Sequence, residues 1–192
     1  MTRISKIVKS RVLQTAVPLL DEKGYFGVRL NEILTLSKTS KASAYRQFPG
    51  GKEEIILFAI KDVQSKISTA MKDIFEREDD MVIALRASIE FLKQSLIDGS
   101  FATGCPIATV GLELSGSDSL TLDACMNAFQ EWEDLLECYL SDHVPPEECK
   151  PLSSAIFCMF QGALVLSRIT GDTVHLDNAG NYGIKLFLLN VR

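Results

Sequence analysis

Cysteine and histidine are the residue types in this chain that could ligate a metal or act as nucleophiles. The 192 residues include five cysteines and two histidines. No CxxC pair and no HExxH run occurs, so their spacing predicts no metal ligands. Cys138, His143 and Cys149 are the one set that could meet at a metal, and their irregular spacing argues against it. An odd number of scattered thiols favours reduced cysteines over a disulfide framework.

The sequence also offers no recognisable catalytic constellation. Neither a Ser/His/Asp or Cys/His/Asn arrangement nor a glycine-rich phosphate loop can be identified from residue spacing. We therefore predict that the chain is not an enzyme, that it has no catalytic residues and that it needs no cofactor.

Basic, hydroxyl and aromatic side chains are concentrated in the segment KTSKASAYRQFPGGKEE, residues 38–54. Side chains of these types bind DNA phosphates and base edges. The charge of the whole chain hides this segment, because the chain has a net charge of −5. Residues 1–61 contain 11 Lys and Arg against 5 Asp and Glu, a net of +6, whereas residues 62–192 have a net of −11. Such an asymmetry predicts a nucleic-acid-binding end.

Helices must position these side chains, because apolar residues recur at three- and four-residue spacing and no sustained period-two alternation occurs. Glycine and proline mark the breaks, as at Gly24 and Pro49-Gly50-Gly51. We predict an all-α fold of about nine helices, at residues 4–23, 30–36, 40–48, 51–76, 81–97, 104–114, 118–142, 148–169 and 175–190.

Two short helices joined by a three-residue turn, Ser37 to Thr39, follow the first long helix. This order is typical of a helix-turn-helix, in which the second short helix enters the major groove. Ser40 can cap that helix with its hydroxyl. The alternative is a solvated helical hairpin whose basic face is incidental, and composition alone leaves it open.

Residues 24–55 resemble the DNA-binding region of TetR-type transcriptional repressors. The resemblance rests on Gly24-Tyr25, Ile33, Ser40-Lys41, Tyr45-Arg46-Gln47-Phe48, Pro49 and Lys52-Glu53. Together with the run from Phe48 to Glu53, GCPIATVGLE (residues 104–113) further resembles the LmrA/YxaF-like branch. The resemblance implies a ligand-responsive repressor that binds a pseudo-palindromic DNA operator as a homodimer. It also implies an N-terminal three-helix helix-turn-helix domain, residues 1–50, and a larger helical ligand-binding and dimerisation domain, residues 51–192.

The predicted DNA-binding residues are Ser40, Lys41, Ser43, Tyr45, Arg46, Gln47 and Lys52. Ser40, Lys41 and Ser43 open the reading helix, and Lys41 is best placed to reach a guanine edge or a phosphate. The resemblance implies that Tyr45 binds a phosphate and that Gln47 contacts the backbone nearby. Arg46 either contacts DNA or is solvated.

Lys52 stands near the start of the fourth helix, where a cation opposes the helix dipole. A DNA phosphate arriving at Lys52 and at the free backbone N–H groups would explain this placement. Phe48 is expected in the core. Lys6, Lys9 and Arg11 either touch adjacent phosphates or form a solvated face.

Three residues depart from the pattern of the family. Val28 replaces a capping Thr or Ser before the second helix, which removes a cap worth ~1 kcal/mol. Lys38 replaces the turn glycine and must tolerate an unfavourable backbone angle or change the turn. Pro18 lies inside the first helix, which it should kink or leave with a missing backbone hydrogen bond.

The resemblance implies a small-molecule pocket among the fourth to seventh helices. The candidate lining residues are Phe91, Phe101, Cys105, Ile107, Val110, Met126, Phe129, Trp132 and Leu136. Plain core packing is the alternative for each of them. Trp132 ranks highest with Cys105, because the indole N–H needs a partner and the start of a helix can lower a thiol pKa. No charge cluster suggests an anionic effector, so we expect an apolar or aromatic one.

The eighth helix is apolar on nearly every face and must be covered on all sides. We predict that it forms a homodimer interface with the ninth helix, although an intramolecular core could use the same surface. The predicted interface residues are Phe157, Phe160, Gly162, Leu164, Tyr182, Leu186 and Leu189.

The N-terminal residues lack the apolar core of a signal peptide, and the longest apolar run, residues 155–166, is shorter than the ~20 residues that span a bilayer. We therefore expect a cytoplasmic protein with no membrane partner. An alternative function is a thiol-based redox-sensing regulator that uses Cys105 or another thiol.

Overall fold

The computed structural model describes residues 3–191, and their side chains from residue 6 onward. This part of the chain forms nine α-helices and no strand, which confirms the predicted all-α fold. The helices are α1 (Arg3–Gly27), α2 (Leu30–Leu36), α3 (Lys41–Gln47), α4 (Lys52–Arg77), α5 (Met81–Asp98), α6 (Pro106–Glu113), α7 (Leu120–Leu140), α8 (Pro146–Thr170) and α9 (Val174–Asn190).

Both helix-breaking residues of the first helix act within the range that the sequence predicted. Pro18 lies within regular helix, so it removes one backbone hydrogen bond without breaking α1. Gly24 has a positive φ and non-helical angles (φ 69°, ψ −177°), so it interrupts the regular helix at the predicted position, and a short kinked extension completes α1 at Gly27. Tyr25 and Phe26 follow it, and the Val28 N–H donates to the Gly24 carbonyl (3.3 Å). The result is a corner in α1, which we call the Gly24–Phe26 corner.

The start of α8 differs from its predicted position. The helix begins at Pro146, two residues before the predicted start. Proline suits the first helical position because the N–H that it lacks would have no partner there. Gly171, in the left-handed conformation (φ 68°), ends the helix.

The chain packs as two compact units. The first contains the N-terminal residues up to Lys66 together with Cys105–Ala128, and the second contains Ile67–Gly104 and the residues from Phe129 onward. Helix α6 packs against α1 in the first unit. Helices α4 and α7 contribute residues to both units.

Each unit has its own apolar core. In the first, fully buried side chains come from α1, α2, α4 and α6: Leu20, Ile33, Ile55, Ile56 and Ile107. In the second, they come from α5, α7, α8 and α9: Leu85, Leu140, Ile156 and Leu176. Lys93 of α5 joins Glu90 (3.0 Å) and reaches Asp177 of α9 (2.9 Å), which links these two helices at the surface.

Candidate nucleic-acid interface

The turn between α2 and α3 has the strained geometry that the sequence suggested. Lys38 has a φ of 49°, in the left-handed region that disfavours residues with a Cβ. The Arg11 guanidinium of α1 donates to the Lys38 carbonyl (3.3 Å) and to Thr39 Oγ1 (3.3 Å). Arg11 therefore braces this turn, a role that its position in the sequence did not reveal.

Helix α3 is capped and fixed on one face only. Ser40 precedes it in an extended conformation, and its Oγ accepts a hydrogen bond from the Ser43 N–H (3.2 Å), which confirms the predicted cap. Ala44 and Phe48 are buried on the inner face. The exposed face is formed by Lys41, Ala42, Tyr45 and Arg46. Among the other predicted DNA-binding residues, Ser40 is exposed, and Ser43, Gln47 and Lys52 are half-buried.

Phe48 joins three helices, as predicted. It is 0% exposed, and its ring meets the Phe58 ring of α4 edge-on at 5.9 Å between centroids. The ammonium group of Lys9, from α1, lies 3.5 Å from the centroid of the Phe58 ring and 5.8 Å from that of Phe48. Lys9 is therefore engaged in a cation–π contact that stabilises the attachment of α3.

Lys52 follows a sharp corner at Gly50 and Gly51. The Gly50 N–H donates to Glu54 Oε2 (2.8 Å), and Gly51 has a φ of 67°. A Cβ at Gly51 would lie 3.5 Å from the Tyr45 ring, so this corner places Tyr45 beside the start of α4. The sequence pattern had not assigned this capping role to Glu54.

The Lys52 ammonium lies 5.0 Å from the centroid of the Tyr25 ring. Burial lowers the pKa of Lys52, and the carboxylates of Glu113 and Glu53 oppose that lowering. The first turn of α4 also contains Glu53 and Glu54, which suit the positive end of the helix dipole. The corner at Gly50 and Gly51 thus brings Tyr45 and Lys52 to one edge of the exposed α3 face.

A family model, described as the C-terminal domain of LmrA/YxaF-like transcriptional regulators, matches residues 81–182, more than half of the chain. The chain belongs to the LmrA/YxaF-like family of TetR-type transcriptional regulators. It is therefore a DNA-binding transcriptional regulator with an N-terminal helix-turn-helix, and it is not an enzyme.

The similar proteins align with most of the length of this TetR-type regulator. An HTH-type transcriptional regulator of Mycobacterium tuberculosis (strain H37Rv) is 29% identical over 175 residues, 88% of each protein. LmrA of Bacillus subtilis, also an HTH-type transcriptional regulator, is 28% identical over 160 residues, 83% of this chain and 85% of LmrA. The regulatory protein TetR from Rhodobacter sphaeroides has the same fold, with a TM-score of 0.83 at 17% identity, covering 92% of this chain and 97% of that one.

The predicted effector residues of the TetR-type regulator are divided between its two units. Cys105, Ile107, Val110 and Met126 belong to the first unit, where Ile107 and Val110 are fully buried and Met126 is 61% exposed. Cys105 caps α6, and its Sγ accepts from the Ala108 N–H (3.4 Å). The expectation that the helix start lowers its pKa is wrong. Burial raises the pKa of Cys105 to about 11, because the charged thiolate loses its hydration and two backbone N–H groups do not offset this.

In the second unit, Trp132 is the centre of a cluster of aromatic and polar groups. Its Nε1–H donates to Ser68 Oγ (3.1 Å), and the Ser68 hydroxyl donates to Glu131 Oε1 (2.6 Å). The Phe129 ring contacts the rings of Trp132 and Phe157, both at 5.9 Å between centroids. The predicted partner for the indole thus exists. Of the remaining candidates, Leu136 is buried, and Phe91 and Phe101 are half-buried.

The predicted interface residues on α8 and α9 differ in their exposure to solvent. Phe160 and Leu164 are buried within the regulator itself, and a Cβ at Gly183 of α9 would lie 3.3 Å from Phe160 Cε1. Phe157 and Leu186 are half-buried, and Gly162, Tyr182 and Leu189 are exposed. The same two helices expose further large apolar side chains, namely Val165, Leu166, Ile169, Val174 and Leu188. We call this set, with Tyr182 and Leu189, the outer α8–α9 face.

Helix α8 of the regulator combines length with an apolar composition. Within residues 3–191, α8 is the one helix long and apolar enough, by length and composition, to cross a membrane, which the shorter run in the sequence did not suggest. The core helix of a soluble protein has the same properties.

In the described chain no group of three His, Cys, Asp or Glu is placed to hold a metal ion. His143 packs edge-on against Phe187, at 5.9 Å between centroids.

Proposed function

We propose that this TetR-type regulator is a ligand-responsive repressor that works in the cytoplasm and binds a pseudo-palindromic operator as a homodimer. The exposed face of α3 is the observation that carries the proposal. This face presents Lys41, Tyr45 and Arg46 to solvent, while Ala44 and Phe48 anchor the opposite side. A short, braced helix with one basic face suits insertion into the major groove.

The residues of this face divide into base-reading and phosphate-binding groups. Lys41, in the first turn of α3, is suited to a guanine edge or a flanking phosphate. The Tyr45 ring lies beside Gly51, and Lys52 follows Gly51 in the chain. Hydroxyl and ammonium groups of this kind suit the phosphate backbone. Ser40 and Ser43 keep the start of α3 narrow, and the Ser40 hydroxyl is already engaged as a cap.

The effector in this proposal is a small apolar or aromatic molecule. The support comes from the second unit, where the rings of Phe129, Trp132 and Phe157 lie together beside the hydroxyl of Ser68. Such a combination of apolar surface and a few polar groups is typical of ligand sites. Effector binding would favour a dimer whose reading helices no longer match the operator, and α4 would carry the change.

The outer α8–α9 face supports the homodimer. Large apolar side chains are exposed there on two adjacent helices, and contiguous patches of this kind mark interfaces. A twofold dimer places two copies of α3 on half-sites about one helical turn, or a multiple of it, apart.

The thiol-based alternative receives no support at Cys105. The reactive form of cysteine is the thiolate, and burial raises the pKa of Cys105 to about 11. At neutral pH this side chain is therefore a protonated and weakly reactive thiol.

Selection from a random-sequence duplex pool, followed by gel-shift titration, tests the proposal. We expect enrichment of a palindromic site bound by a dimer, and Lys41→Ala should weaken binding to it while leaving the fold intact. Native mass spectrometry of the purified regulator should then identify a small molecule that releases the selected site. A regulator that selects no duplex contradicts operator binding, and release by no bound or added apolar compound contradicts ligand control.

A further inference from the structure

Glu113, the last residue of α6, inserts its carboxylate into the Gly24–Phe26 corner of α1. A Cβ built on Gly24 would overlap Glu113 Oε1, so the left-handed glycine leaves the space that this oxygen fills. The other oxygen, Oε2, accepts a hydrogen bond from the backbone N–H of Phe26 (3.0 Å). Two separate features of the corner, an absent side chain and a backbone donor, thus accommodate one carboxylate.

The position of Glu113 on its own helix is unfavourable. A carboxylate in the last turn of α6 is repelled by the negative end of the helix dipole. A residue that breaks a local preference points to a compensating role elsewhere in the fold. Glu113 also ends GCPIATVGLE, the segment that suggested the LmrA/YxaF-like branch, and neither the core nor the proposed effector site accounts for its charge.

The corner held by Glu113 is also the surface on which Lys52 rests. Tyr25 lies between Gly24 and Phe26, the two residues that Glu113 contacts, and the Lys52 ammonium lies over its ring. The Glu113 carboxylate accepts its hydrogen bond from the Phe26 amide, and its charge also favours the Lys52 ammonium. Lys52 is therefore oriented by the ring and remains half-buried at the start of α4.

We propose that Glu113 is a positioning residue for DNA binding: its carboxylate fixes the Gly24–Phe26 corner, and this corner orients Lys52 toward an operator phosphate. The inference rests on the proposed role of Lys52 at the DNA backbone. It assigns α6 a direct part in the geometry of the nucleic-acid interface, through a residue that itself does not touch DNA.

A simple charge effect makes the opposite prediction. Glu113 adds negative charge near DNA, so its removal would tighten binding if charge were all that mattered. Under the positioning role, Glu113→Ala weakens operator binding about threefold to tenfold, since a hydrogen bond to a charged group is lost. Glu113→Gln retains an acceptor for the Phe26 N–H and should stay within about twofold of the wild type.

The experiment measures operator dissociation constants by fluorescence anisotropy for the full-length wild type and its variants, using the duplex that the wild type selects. Asp118→Asn is the matched control, because Asp118 is an exposed carboxylate only five residues away. It should bind as tightly as the wild type or slightly more tightly. Thermal melting establishes that each variant is folded. Glu113→Asp keeps the charge but shortens the reach, and it should weaken binding as Glu113→Ala does.

A double-mutant cycle then tests whether Glu113 acts through Lys52. Lys52→Ala should weaken binding and lower the salt slope by about one, and adding Glu113→Ala should cost less than a further twofold. Unchanged or tighter operator binding by Glu113→Ala and Glu113→Asp overturns this inference alone. The same holds if Glu113→Ala weakens binding by the same factor in the wild type and in the Lys52→Ala variant. A wild type that selects no duplex overturns the proposed function and this inference with it.

Discussion

At the scale of single residues, Cys105 and Cys125 show how burial controls chemistry. Cys105 caps α6 and receives backbone hydrogen bonds, yet burial raises its pKa to about 11. Burial, and to a smaller extent the charge of Cys105, raise the pKa of Cys125 to about 12. Cys138 and Cys158 are exposed. Desolvation of the thiolate therefore outweighs the favourable start of a helix.

Alkylation should separate the two kinds of cysteine. At pH 8 the exposed Cys138 should react with iodoacetamide much faster than Cys105 and Cys125, whose thiols stay protonated in the folded protein. Because both pKa values are raised, the unfolded chain loses these protons first, and stability falls as pH rises above ~9. Peptide mass mapping after timed alkylation provides the measurement. Rapid labelling of Cys105 at pH 8 would contradict this assignment.

At the scale of elements, the turn between α2 and α3 combines strain with bracing. Lys38 occupies a left-handed conformation (φ 49°) that glycine would adopt at little cost. The Arg11 guanidinium holds the same turn through the Lys38 carbonyl and Thr39. A glycine at position 38 would adopt this turn without help. With lysine there, the hydrogen bonds from Arg11 help to hold the turn.

Lys38→Gly should stabilise the protein. At a positive φ the substitution relieves backbone strain of up to ~1 kcal/mol. Glycine also raises the conformational entropy of the unfolded chain, which offsets part of this gain. Urea denaturation should therefore show a gain of roughly 0.5 kcal/mol. Lys61→Gly is the control, because the same substitution at an exposed position inside α4 should destabilise by about 1 kcal/mol. A loss of stability for Lys38→Gly would show that the left-handed angle is not strained.

At the scale of the whole molecule, the outer α8–α9 face is apolar surface that one chain leaves exposed. Phe160 and Leu164 already belong to the core of the second unit. The interface in the proposed dimer therefore depends on the residues that point outward, including Leu166, Tyr182 and Leu189. Burial of such side chains against a second copy would stabilise the dimer by ~25 cal/mol per Å² of apolar surface.

Leu166→Glu and Leu189→Glu should each shift the protein from dimer to monomer. Leu189 is 82% exposed in a single chain, so a carboxylate there leaves the monomer intact but would be desolvated in the interface. We expect at least a tenfold weaker dimer by sedimentation equilibrium. Leu120→Glu, at a residue 74% exposed outside this face, should leave the association unchanged. Unchanged association of both Leu166→Glu and Leu189→Glu would place the interface elsewhere.

Much of the helix-turn-helix could be predicted because its signals are local. The Ser40 cap, the break at Pro49-Gly50-Gly51 and the left-handed Lys38 each depend on residues within a few positions of one another. The buried role of Phe48 followed from the same local pattern. Gly24 interrupts α1 where the sequence predicted the end of the helix. Its left-handed angle accommodates Glu113, which is remote in sequence.

The sequence by itself determined the all-helical fold, the position of the basic segment and the resemblance to the family, since helix caps, breakers and charge are properties of neighbouring residues. Only the tertiary structure decided which distant groups meet. It placed Glu113 against the Phe26 amide 87 residues away and Ser68 against the Trp132 indole 64 residues away. It also raised the pKa of Cys105 by enclosing its thiol. Helix packing determines these contacts and the loss of hydration, and no short-range pattern encodes them.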